Sequence, residues 1–133
     1  DKVPPIVTRG VLLDFVALQG GNLAPGKAIN RAEIEAAVAK QGTPIRKGDV
    51  VLLHTGWLAS MAAKDKKAFL EKEPGLGKGG AEYLASLGVV AVGSDGWAVE
   101  AIPFENPDEA LKVLKQKGVR VLQAEELMAV KGA

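Results

Sequence analysis

Apolar positions along the chain cluster into short runs separated by helical stretches. Gly10-Val11-Leu12-Leu13-Asp14-Phe15-Val16 reads as a strand buried on both faces near its middle. Gln19-Gly20-Gly21-Asn22 and Pro25-Gly26 are turns. Asn30 followed by Glu33 forms a capping-box pattern. Behind it Ile34, Ala37, Val38 and Gln41 share one helix face, and Gly42 supplies the stop. Val50-Val51-Leu52-Leu53-His54 is a second buried strand, and Val89-Val90-Ala91-Val92-Gly93 a third. Helical patterns are expected from Trp57 to Ala63, Lys66 to Lys72, Ala81 to Leu87, behind the Asn106-Pro107 cap, and from Ala124 to Val130. Val119 to Leu122 is a last short strand. Strands alternating with helices in this way predict an α/β layer architecture.

The 133 residues suit one domain with its own core, and residues 1–133 are read as one unit without internal repeat or linker. The net charge of +1 gives no electrostatic reason to expect nucleic acid or an anionic membrane. No apolar run is long enough to span a bilayer, and the start is no signal peptide, so a cytoplasmic location is expected. The absence of cysteine excludes disulfides, thiolate metal sites and cysteine nucleophiles.

Candidate chemistry gathers at strand ends, where ligands and catalytic groups collect in α/β folds. His54, the sole histidine, closes the second strand just before Thr55-Gly56-Trp57. It is either a functional imidazole or a strand-end side chain bonded to the next loop. Asp95 follows the third strand and could bind a cation, act as a base or cap the turn. Trp57 and Trp97 each follow a strand end and either line one pocket or serve as core lids. Gly75-Leu76-Gly77-Lys78-Gly79-Gly80 superficially suggests a phosphate loop. It lacks the Walker spacing and the Ser or Thr after the lysine, so turn-forming glycines before a helix are the better reading.

Three segments taken together resemble one family. Arg9-Gly10-Val11-Leu12-Leu13-Asp14 is similar to the RGVLLD strand of the cyclase family of metal-dependent hydrolases, which includes bacterial kynurenine formamidases and isatin hydrolase. Ile45 to Trp57, with Gly48-Asp49 and Thr55-Gly56-Trp57, resembles its I-x-x-GD-hydrophobic-TGW segment. Pro74-Gly75-Leu76, Ala81-Glu82-Tyr83-Leu84 and Gly88 to Asp95 resemble its PGL…GV..VG.D stretch. The likeness runs from about Pro4 to Glu105 and implies the later part of such an enzyme.

That resemblance implies a swivelling β/β/α-type fold, a mixed sheet with flanking helices, and hydrolysis of amides or cyclic amides with zinc or manganese. The family's His-x-Gly-Thr-His-x-Asp metal motif does not occur here. Where the family's second ligand region has histidine and an acidic residue, this chain has Leu111 and Gln123. No metal ligand and no catalytic residue is therefore assigned, and no cofactor is expected on this chain alone. His54, Thr55, Trp57, Asp95 and Trp97 are expected as substrate-pocket wall. The expected function is a portion of a metal-dependent amide hydrolase that is inactive until a ligand-bearing segment completes it. The alternative is a non-catalytic binding or scaffold domain that keeps the fold. A sheet lacking its flanking strands exposes edges, so a homodimer is expected.

Overall fold

The structure is a computed structural model that describes residues 7–61, 67, 71–96, 98–103 and 109–122. Four parallel strands form the main sheet in the order β1 (Gly10–Asp14), β3 (Val50–His54), β5 (Ala91–Ser94), β6 (Arg120–Leu122). A second parallel pair joins β2 (Ala28–Ile29) to β4 (Gly75–Leu76). The helices are α1 (Phe15–Gln19), α2 (Arg31–Gln41), α3 (Trp57–Met61), α4 (Lys78–Ser86) and α5 (Glu109–Gln116). The α/β class with flanking helices is as the sequence predicts. Both described sheets are wholly parallel, and among the described residues antiparallel pairing is limited to an isolated bridge between Glu73 and Ile102.

The strand order always advances in one direction, so crossovers of the usual right hand would bring connecting helices to one face, and α2, α4 and α5 pack together there. Val11, Leu13, Val51, Leu53 and Val92 point into that face and pack with Ile34 and Ala37 of α2, Ala81 and Leu84 of α4, and Ala110 and Leu114 of α5. The opposite face carries a row in register, Leu12–Leu52–Gly93–Leu122. Leu12 there is 52% exposed, and Leu52 and Leu122 are half-buried. A β-carbon on Gly93 would stand 3.0 Å from Leu52 Cδ2 and 3.3 Å from Leu122 Cβ, so the glycine lets the two leucines approach across β5.

Local chemistry explains where the elements depart from expectation. The first strand stops at Asp14 because its carboxylate accepts from the Ala17 amide at 3.0 Å and caps α1, which Gly20 closes in the left-handed conformation. Phe15 and Val16 are therefore helical, and β1 is an edge strand buried on one face only. Its outer edge is met by a side chain. Gln41 Oε1 accepts from the Asp14 amide and Gln41 Nε2 donates to the Leu12 carbonyl, both at 2.7 Å. The carboxamide thus stands where the peptide group of a further parallel strand would pair.

The capping box at Asn30 and Glu33 is present, with the Asn30 amide donating to Glu33 Oε2 at 2.9 Å. Asn30 Oδ1 also accepts from the Gly80 amide, tying α2 to the first turn of α4. That helix starts at Lys78, three residues before the expected Ala81. The third strand is Ala91–Ser94, later than expected and buried on both faces. The expected helices at 66–72 and 124–130 and the Asn106 cap fall wholly or largely outside the described residues. Arg9 anchors the sheet's amino edge: Nε and Nη2 donate to Asp49 at 3.0 and 2.7 Å, and Nη2 also reaches the Pro44 carbonyl. The Arg9 hydrogen bonds, helped by the Arg46 amide, hold the buried Asp49 carboxyl below the usual carboxylate range against its burial.

Candidate functional site

Because all four strands of the main sheet run parallel, their carboxyl ends share one edge, and β1, β3 and β5 end there side by side. Asp95, directly after β5, binds the turn that follows β3. Its Oδ1 accepts from the Thr55 amide at 3.0 Å and from the Thr55 hydroxyl at 2.6 Å, and its Oδ2 accepts from the Gly56 amide at 2.8 Å. Thr55 is fully buried, and its Oγ1 in turn accepts from the Trp57 amide at 3.3 Å. Gly56 has φ +80, and a β-carbon on it would lie 2.1 Å from Asn22 Oδ1, so the turn requires glycine. The turn launches α3 with Trp57 buried at its start.

His54 and Asp14 are in-register neighbours at the ends of β3 and β1. His54 Nδ1 lies 3.0 Å from Asp14 Oδ1, with the side chains 40% and 35% exposed. Asp14 also caps α1. The Ala17 amide first, then His54, holds its carboxyl below the usual range, against the opposing effect of burial. By the two-residue period of strands, Asp14 and His54 lie on the face of Leu12 and Leu52, away from the helices.

Of the expected wall residues, Thr55, Trp57 and Asp95 are joined by hydrogen bonds at the carboxyl edge of the sheet, His54 at the same edge pairs instead with Asp14, and Trp97 lies outside the described residues. Asp95 spends both carboxylate oxygens on backbone and hydroxyl donors, the turn-capping role considered for it from sequence. Two residues of this region were not singled out from sequence. Asp14 had a legible signal, an N-cap type residue between a strand and a Gly-Gly stop. Glu73 had none. It is fully buried and accepts from the Ala98 amide at 2.9 Å. A β-carbon on Gly96 would come within 2.8 Å of its carboxylate, so the loop after Asp95 wraps closely round this acid.

The glycine-rich stretch is a packing device. A β-carbon at Gly75 would be 2.5 Å from the Val99 carbonyl oxygen, and one at Gly80 would be 2.2 Å from that of Ile29. Lys78 pairs with Glu109 at 3.3 Å. Among the described residues no group of three or more His, Asp or Glu side chains is placed to hold a metal ion, so this set does not fit a zinc or manganese site. Leu111 lies within α5, and Gln123 lies outside the described residues. Among the described residues no helix is long and apolar enough to cross a membrane.

The family model described as "Putative cyclase" matches residues 1–101, and the chain belongs to that family. A solved structure of a novel cyclase is 30% identical with a TM-score of 0.73, covering 93% of this chain and 43% of that one. An isatin hydrolase bound to the product analogue thioisatinate is 25% identical with a TM-score of 0.72, covering 88% of this chain and 46% of its own. Isatin hydrolase A from Labrenzia aggregata, bound to benzyl benzoate, is 20% identical with a TM-score of 0.60 over 86% of this chain and 46% of its own, a likeness of fold alone. The chain thus spans less than half the length of these solved relatives. A search among curated proteins finds no match.

Proposed function

We propose that this chain is a single domain forming part of a metal-dependent amide or cyclic-amide hydrolase, in which it builds substrate-pocket wall and another segment supplies the ligands for zinc or manganese. The observation that carries the reading is the gathering of His54, Thr55, Trp57 and Asp95 at the carboxyl edge of one parallel sheet, in a chain whose family includes an isatin hydrolase. In this reading Thr55 and Asp95 fix the β3–α3 turn, the buried Trp57 backs the pocket wall, Trp97 is a further wall candidate, and His54 faces the polar end of an aromatic substrate. The fold type is the swivelling β/β/α arrangement, and the substrate class is that of N-formyl and lactam compounds, as for kynurenine formamidases. The cytoplasm is the compartment, with neither nucleic acid nor membrane as partner.

The open sheet face supports a covering partner. Leu12, 52% exposed, begins an apolar row that a second copy of the chain would bury in a homodimer.

A second reading, a binding or scaffold domain without chemistry, is favoured by the full use of Asp95 on Thr55 and Gly56. One experiment separates the two. The chain is combined with a segment bearing the His-x-Gly-Thr-His-x-Asp motif and supplied with zinc or manganese, and hydrolysis of an N-formyl arylamine and of a lactam is followed. The hydrolase reading expects turnover that Trp57→Ala and Asp95→Ala reduce. Turnover that survives both substitutions would remove the site assignment, and no turnover with either substrate would favour the scaffold.

A further inference from the structure

We propose that His54 and Asp14 form a proton-transfer dyad, with His54 Nε2 as the acceptor of a proton from water attacking an ester or amide carbonyl and Asp14 as the residue that positions the ring. Only the choice of amide substrates rests on the hydrolase reading above; the dyad is argued from its own geometry.

The His54 ring faces Asp14 through Nδ1, at 3.0 Å from Oδ1. A carboxylate at that distance can only accept, so the neutral ring carries its proton on Nδ1 and leaves the Nε2 lone pair bare. Asp14 is itself held from two sides. Its carboxylate accepts from the Ala17 amide at 3.0 Å, and its own amide donates to Gln41 Oε1 at 2.7 Å. The imidazole orientation is thus fixed through β1, α1 and α2 together. Among the described residues, Asp14 of β1 and Asp95 after β5 stand at this sheet edge, and Lys40 of α2 lies against the end of α1. The Lys40 Nζ is held on the carbonyls of Ala17 and Leu18, and Asp95 is turned toward Thr55 and Gly56. Asp14 is therefore the one of these groups bonded to the ring.

The step balances with water alone. Nε2 takes a proton as the water oxygen forms its bond to the carbonyl carbon. The imidazolium, stabilised by the Asp14 carboxylate, then returns that proton to the departing oxygen or nitrogen as the carbonyl's bond to it breaks. The products are an acid and an alcohol or amine, and no oxidant or co-reactant is consumed.

His54 is the only histidine, so one imidazole is observed without interference. In the 15N-labelled chain, nitrogen NMR of the neutral ring should show the proton on Nδ1; a proton on Nε2 would overturn the proposal. The chain itself should hydrolyse 4-nitrophenyl acetate faster than buffer alone. His54→Gln should lose about 100-fold in kcat. Asp14→Asn keeps a capping side chain but removes the charge, and should lower kcat about 10-fold or more with KM little changed. Rates unchanged in either variant, or no acceleration by the parent chain, would overturn the dyad. Failure of the N-formyl and lactam assay alone would instead count against the hydrolase reading.

Discussion

The Thr55 hydroxyl donates a 2.6 Å hydrogen bond to Asp95 Oδ1, joining the ends of two neighbouring parallel strands. The same carboxylate accepts from the amides of Thr55 and Gly56, so one side chain satisfies three donors of the β3–α3 turn. Asp95→Ala leaves those donors unpaired beside a fully buried Thr55. We expect a loss of about 3 kcal/mol, read from denaturant unfolding.

Among the described residues the carboxylates of Asp14, Glu33 and Asp49 are held low in the fold, and they set the acid limb of stability. Asp49, bonded to Arg9, and Asp14, bonded to the Ala17 amide and His54, each have a folded value below the unfolded one. Their contribution is therefore present above the unfolded carboxylate value of about 4 and is lost as the pH falls through the folded value. Stability measured by denaturant unfolding should fall from about pH 5 toward about pH 2, and Asp49→Asn should flatten that slope. An unchanged slope would mean that the Arg9 pair contributes nothing to it.

Two glycines separate backbone strain from steric closure. Gly80→Ala places a β-carbon 2.2 Å from the Ile29 carbonyl oxygen, where α4 meets β2. Gly42→Ala, at φ +67 with nothing within 4 Å, meets only left-handed strain. We expect about 1 kcal/mol for Gly42→Ala and about 3 kcal/mol or more for Gly80→Ala, compared by thermal unfolding of the two variants.

Gln41→Ala removes the carboxamide from the outer edge of β1 and frees the Leu12 carbonyl and the Asp14 amide. The expected cost is about 1 kcal/mol. An unblocked edge pairs with other strands, so sedimentation should show more self-association than in the parent chain. Equal association states would show that the side chain does not guard this edge.

Much of this architecture was legible because it is written in local pattern. The Asn30–Glu33 cap, the Gly42 stop and the Val50–His54 run each follow from residue type and spacing. The α1 helix was not, since Phe15 and Val16 continue an apolar run and only the Asp14 cap diverts them. The two-residue strands β2 and β4 carry no period to detect. The site was legible as a set of strand ends but not as contacts. Asp14 meets His54, and Thr55 meets Asp95, through strand register across 40 residues of sequence. Glu73 shapes the loop after Asp95 from a distant turn, a relation no sequence spacing announces.

In the proposed role this chain builds pocket wall while another segment holds the metal. Calorimetric titration of the purified chain with zinc and with manganese, confirmed by metal analysis after dialysis, tests it directly. No stoichiometric binding of either ion is expected. One tightly held equivalent per chain, lost in His54→Gln, would contradict it.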